Sequence, residues 1–393
     1  MTGALGAVLA AARDRADLVR EVRRDLHRIP ELAFQEAQTT RYVEAFLEAR
    51  GIAFERFPWG TGGVAVLGRG ARGALLRADL DGLPLDEETR VPFRSRRPGC
   101  MHACGHDAHA AMLLAAADAL AAGAVPLPGR AVLVFQPAEE GFGGARRMLD
   151  AGLLERHPVD AAVAVHVWPG LATGRVGIGS GPLLASMDRV RLVFHGRGGH
   201  GAFPHACVDP VVMAAEGVLA LQTLVSRRVD PRSPAVLTVG AIRGGAAANV
   251  IAEEVELLAT VRAFEGRVRD ALLGGMERIG RGIAAAHGGS FGMELQEHYP
   301  VTAGDPGAAE RLRAAVAAVL GEGVLAPPEP TLGAEDMGMI LERVPGCFVQ
   351  LGASPDPTRA EPLHSPRFDL DEECLPVGVA VLLAAAAALL PGA

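Results

Sequence analysis

From residue 64 to residue 167 the chain alternates short, apolar, β-rich runs with stretches whose apolar residues recur at helical spacing, and few folds accommodate that rhythm. The strand-like runs fall at 64–67, 74–78, 131–135 and 161–167. Helical stretches at 107–121 and around 143–151 separate them, and helices at about 5–26 and 34–49 precede them. Strands that return through helices predict an α/β fold, a mixed-sheet domain with helices on both faces. After the turn-rich segment GRVGIGSGPLLAS the rhythm changes to strand, helix, strand, strand, helix, strand. That β-α-β-β-α-β order predicts a complete ferredoxin-like domain. Beyond it the chain returns to helix, a strand (CFVQLG) and a closing helix at 371–390. We therefore assign 1–185 and 298–393 to one domain and 186–297 to a second, inserted one, as a chain of 393 residues exceeds the usual size of a single core.

Charge and residue usage exclude several function classes. The net charge of −8 comes with no basic run, so nothing would displace the counterions of a phosphate backbone, and no nucleic-acid partner is expected. All 38 basic residues are Arg. Without Lys there is no Schiff base to pyridoxal phosphate and no phosphate-binding loop ending in Gly-Lys-Ser/Thr. The five Cys form no paired framework, which predicts a reducing, cytoplasmic location. The start of the chain lacks the basic region of a signal peptide. The apolar segment 375–390 is short and broken by Pro376 and Gly378, so no membrane association is expected.

Four polar signals stand in apolar surroundings. MHACGHDAHA at 101–110 places Cys104 and His106 two residues apart just before a helix. Alone, this fits a satisfied core His beside an inert Cys equally well. In FQPAEEG a strand runs into the pair Glu139 and Glu140; adjacent side chains point apart, so one carboxylate can ligate a metal while the other faces the water that the metal binds. The alternative is a charged helix N-terminus. AVAVHVW buries His166 in a strand, and LHSPRFDLDEE sets His364 in the loop before the last helix. All four signals sit at a strand end or in the loop that follows, where sites collect. One thiolate, three imidazoles and one carboxylate suit borderline divalent ions and exceed what one tetrahedral site needs, so two ions are expected.

Nearly the whole chain resembles the two-metal amidohydrolase/aminoacylase family of hippurate hydrolases, N-acyl-amino-acid amidohydrolases and auxin-conjugate hydrolases. The matching stretches are HRIPELAFQE, RADLDGLPLDEET, MHACGHDAH, FQPAEEGFGGA, HVWP, GRGGHGAFPH, NVI with TVRAF, GAEDM and LHSPRFDLDEE. The resemblance implies that Cys104, His106, Glu140, His166 and His364 ligate two metals, with Cys104 as the bridge, and that Glu139 is the general base. The metals expected are zinc or manganese, with cobalt or nickel as alternatives. The resemblance further implies a lid role for the inserted domain and a homodimer formed through it. His200 then stabilises the oxyanion in the other subunit, Asn249 and Arg262 face the substrate, and Asp79 and Asp81 support the site.

The expected activity is hydrolysis of the amide bond of an N-acyl or N-aroyl amino acid, a small-molecule substrate. A dipeptidase or carboxypeptidase is the alternative on the same scaffold. A nicotinamide-dependent oxidoreductase is the remote one, because Gly196, Gly198 and Gly201 match a dinucleotide fingerprint between a strand and a helix. A second match, from Gly68 to Gly73, reads as a hairpin turn.

Overall fold

In the computed structural model, which describes residues 2–141 and 143–389, the chain divides into two compact units. One holds the residues up to Leu183, 303–329 and those from Asp336 onward; the other holds 184–302 and 330–335.

In the first unit the alternating runs form an eight-stranded mixed sheet. Its order is Phe54–Arg56, Gly63–Gly68, Arg130–Gln136, Gly73–Asp79, Ala161–Ala172, Gly346–Ser354, Val176–Ile178, Leu325–Ala326. The four strands from Arg130–Gln136 to Gly346–Ser354 are parallel. Parallel strands are covered on both faces, and every residue of Gly73–Asp79 and Gly346–Ser354 is accordingly buried. The expected hairpin at Gly68–Gly73 is absent. Arg130–Gln136 lies between the flanking strands and pairs with both, so that connection steps over a neighbour.

Helix His106–Ala121 packs against this sheet and against helices Ala16–His27 and Leu375–Ala388. It shows no polar stripe because 14 of its 16 residues are buried, as a helix enclosed on all sides requires. The helix expected over 5–26 is two, Thr2–Arg13 and Ala16–His27. The next starts at Ala37 instead of 34, because the Glu31 carboxylate accepts the N–H groups of Gln38 and Thr39 and so fixes its first turn there. The expected helix end at residue 390 lies outside the described residues.

The second unit is a four-stranded antiparallel sheet in the order Ala235–Gly244, Glu254–Ala263, Ser186–His195, Ser290–Tyr299. Helices Pro210–Arg228 and Gly266–His287 cover one face. Their Met213, Leu221, Leu272 and Met276 meet Leu257 and Val261 of the sheet in a separate core. Strand Glu254–Ala263 alternates buried with less buried residues, the pattern of a sheet with one covered face. Asp209 caps the first helix by accepting the Val211 N–H at 2.8 Å, with Pro210 in the first turn. Among the described residues no helix is long and apolar enough to cross a membrane.

Candidate metal centre

The parallel strands set the position of the site. Asp79 ends one strand and Asp81 follows it; Glu139 and Glu140 follow Gln136; His166 lies within Ala161–Ala172; His364 comes after Ser354. Ligands gather outside the carboxyl ends of such strands. Cys104 and His106 join them from the start of helix His106–Ala121.

Local backbone aims these side chains. Gly105, between Cys104 and His106, has φ 82°, and a Cβ there would lie 2.4 Å from Val167 Cγ2, so only glycine fits. The turn after Gln136 is tighter still: a Cβ on Gly144 would lie 1.8 Å from the Pro137 carbonyl oxygen. Four backbone N–H groups of this turn are taken by buried carboxylates. Ala138 donates to Glu36 Oε1 at 2.9 Å, Glu139 and Glu140 donate to Asp81 Oδ1 and Oδ2 at 3.1 and 3.0 Å, and Ala145 donates to Asp336 Oδ2 at 2.8 Å. Helix Gly144–Asp150 starts beyond the Glu pair, which therefore is not the first turn of a helix. His364 sits at φ 68°, with its N–H on the Ala103 carbonyl at 2.8 Å.

The resulting cluster is compact. Cys104 Sγ lies 3.5 Å from His166 Nε2, and Glu140 Oε1 lies 3.1 Å from His364 Nε2. His106 Nε2 is 3.9 Å from both Glu139 Oε2 and Glu140 Oε1, and His106 Nδ1 is 3.3 Å from Asp81 Oδ1. Donor atoms fall within 4.8 Å of one another in the sets Cys104/His106/His166, Cys104/Glu140/His364 and His106/Glu139/Glu140. Cys104 belongs to the first two sets. His106 Nε2 and Glu140 Oε1 are buried and make no hydrogen bond, a costly state that a cation between them would relieve. The donor set thus fits divalent metal.

Electrostatics agree. Burial pushes His106 down, yet the charges of Asp79, Asp81 and Glu140 carry it up to about 10. Burial, then Glu140 and Glu139, raise the Cys104 thiol well above its ordinary value. Both shifts reflect the carboxylates gathered around these two donors, with burial the larger cause at Cys104. His109 is not available as a ligand: its Nδ1 lies 2.6 Å from Asp79 Oδ1 and its Nε2 accepts the Val167 N–H at 2.9 Å. Burial raises the Asp79 carboxyl, and His106, His109 and Arg77 outweigh it, holding the group well below the carboxylate range. Burial, then His109, lowers His166 well below its ordinary value, as a neutral ligating imidazole needs.

The six residues expected to ligate or act as base therefore come together, with Asp79 and Asp81 behind them. His200, Asn249 and Arg262 lie in the second unit. His200 pairs with Val250 in a two-stranded ribbon, and Asn249 accepts the Gly201 N–H at 2.8 Å, so these two are neighbours. Arg262 lies in strand Glu254–Ala263, its Nη1 buried without a hydrogen bond. The glycine fingerprint fails here: the stretch from Gly196 to Gly201 leads into that ribbon, and the helix begins only at Pro210. Glu36, His109 and Asp336 were not singled out from sequence. Counting acceptors for the N–H groups of a buried turn would signal that such carboxylates are needed, without naming them.

The model of peptidase family M20/M25/M40 matches residues 75–388. An N-acetylcysteine deacetylase of Bacillus subtilis is 38% identical over 91% of this chain and 92% of its own length. Thermostable carboxypeptidase 2 of Saccharolobus solfataricus is 33% identical over 92% and 93%. Among solved structures, the YXEP protein of Bacillus subtilis, described as a dinuclear metal binding peptidase, superposes with a TM-score of 0.82 at 33% identity, covering 95% of this chain and 98% of that one.

Proposed function

The chain belongs to peptidase family M20/M25/M40, a membership that makes it a metal-dependent hydrolase of amide bonds, and we propose that it cleaves N-acyl or N-aroyl amino acids such as hippurate. The products are a carboxylic acid and the free amino acid. The observation that carries this reading is the donor cluster of Cys104, His106, Glu140, His166 and His364 with Glu139 beside it.

Cys104, His106 and His166 would hold one ion and Cys104, Glu140 and His364 the second, with the thiolate common to both. Bound there, zinc or manganese supplies Lewis-acid polarisation of the amide carbonyl and acidifies water. Glu139 takes the proton of the attacking water on its carboxylate as the C–O bond forms. It returns that proton to the leaving nitrogen as the C–N bond breaks. Its backbone N–H on Asp81 keeps the carboxylate aimed during both transfers.

Arg262 supports an acidic substrate. Burial lowers its guanidinium below the ordinary value, and Nη1 has no hydrogen-bond partner, so it suits the free carboxylate of an amino acid. Asn249, exposed beside His200, would contact the same substrate. For His200 we propose oxyanion stabilisation in the site of the other subunit of a homodimer. Exposed Val211, Val212 and Leu219 on one helix and Ile242 on the edge strand Ala235–Gly244 support such a dimer, since apolar surface and an open sheet edge both favour pairing.

The relative named as a carboxypeptidase keeps peptide substrates as a second reading. A panel of hippurate, N-acetylmethionine, N-acetylcysteine and dipeptides, assayed on metal-loaded protein, tests both. Turnover of the acylated amino acids with little of the dipeptides is expected; the reverse preference would select the second reading.

A further inference from the structure

Three non-glycine residues among those described adopt positive φ: Phe34 at 57°, Ala138 at 57° and His364 at 68°. That region is strained for residues with a Cβ and persists only where the surroundings hold it. Two of the three share one tether. Phe34 and Ala138 both donate their backbone N–H to Oε1 of Glu36, each at 2.9 Å, from positions 104 residues apart in the chain. Glu36 is fully buried, and its other oxygen, Oε2, makes no hydrogen bond.

Ala138 immediately precedes Glu139. Its N–H is the only one in the segment 138–140 that does not go to Asp81, which takes the next two. Glu36 and Asp81 thus hold successive peptide groups from two different segments. Asp81 accepts the N–H groups of Glu139 and Glu140; the direction from which the chain enters them depends on Ala138. An entry φ near 57° turns the chain out of strand Arg130–Gln136 at the point where the Glu pair must face His106.

We infer that Glu36 is a positioning residue for Glu139, holding Ala138 in its left-handed conformation so that the Glu139 carboxylate is aimed at the donor cluster. The inference rests on the assignment of Glu139 as base. What matters is an acceptor at Oε1. Burial and the charge of Asp81 raise the carboxyl to about 7 against the backbone donors that lower it, so near neutrality the group is far from fully ionised. Glutamine keeps the acceptor and changes little charge; alanine removes the acceptor.

The test compares Glu36→Gln, Glu36→Ala and Glu36→Asp in the metal-loaded full chain. It measures kcat, KM, metal content and amide exchange over residues 136–141. In Glu36→Ala, kcat should fall about tenfold or more, with KM within about threefold, because a misplacement near 1 Å is enough for such a loss. Both metals should remain, and exchange over 136–141 should rise. Glu36→Gln should restore kcat to within about threefold and restore slow exchange. Should the alanine variant not fold, Glu36→Asp withdraws the acceptor by one methylene and should show the same kcat loss. Wild-type kcat in the alanine or aspartate variant overturns the inference, as does a glutamine variant as impaired as alanine. Glu139→Gln, run alongside, separates the two ideas: an active Glu139→Gln sinks the base assignment, whereas an inactive one beside a fully active Glu36→Ala sinks only the role of Glu36.

Discussion

The Asp81 carboxylate accepts the backbone N–H of Glu139 at 3.1 Å, and its second oxygen accepts the N–H of Glu140 at 3.0 Å. One buried side chain thereby fixes the peptides that carry the proposed base and a proposed ligand. Replacing Asp81 by Asn leaves one acceptor and turns a donor toward the other N–H. A buried N–H without a partner costs about 1–3 kcal/mol. Asp81→Asn should melt at a lower temperature and lose at least about tenfold in kcat, read from thermal denaturation and steady-state kinetics. A variant that melts and turns over like the parent would show that the turn is held by other means.

Cys104 belongs to two donor sets at once, so its removal should disturb both proposed ions. Cys104→Ala should lose metal on elemental analysis and lose activity with it. The metal-loaded parent should be inactivated by thiol oxidants, since a sulfur shared by two ions is held as the thiolate, the reactive form. Unchanged metal content and activity in Cys104→Ala would remove the residue from the centre.

What the sequence made legible follows from how local each signal is. Helix His106–Ala121 and the four parallel strands were readable because a buried strand or helix is written in its own run of apolar residues. The clustered residues stood out because Cys104, His106, Glu139, Glu140, His166 and His364 read as polar residues at strand ends or in the loops that follow. The step from Gly68 to Gly73 misled because pairing is not local: whether two strands are neighbours depends on Arg130–Gln136, far along the chain. Likewise Glu36 and Asp336 carry ordinary acidic side chains. Only the fold reveals that each accepts an N–H, from Ala138 and Ala145, that would otherwise go unpaired.

Stability should fall at both ends of the pH range. Burial lowers His27, but Asp107, with which it shares a 2.8 Å contact, and Glu87 outweigh it and raise the group to about 9. A raised value means stability fully present below about 6.5, the unfolded value, and lost as pH rises through about 9. Asp188 behaves oppositely. Burial raises it, yet His298 and Arg269 hold it below 3.8, so its contribution is present above that value and lost as pH falls further. Melting temperatures from pH 3 to 10 should flatten on the alkaline side in His27→Gln and on the acid side in Asp188→Asn.

Chelation should destabilise as well as inactivate. Asp79, Asp81, Glu139 and Glu140 surround His106, and bound cations would offset their mutual repulsion beyond what His106 and Arg77 already do. An ion at about 100 times its Kd adds about 2.7 kcal/mol per site. The metal-free protein should therefore melt lower and regain both stability and turnover with zinc, manganese, cobalt or nickel. Recovery with none of these would argue against the donor set described.

Glu139→Gln, with metal content and kcat measured on the same preparation, bears most directly on Glu139 as the base. The variant should retain two ions per chain and lose about 10²–10⁴ in kcat, the contribution of a positioned general base. Near-normal turnover with the metals in place would contradict that role.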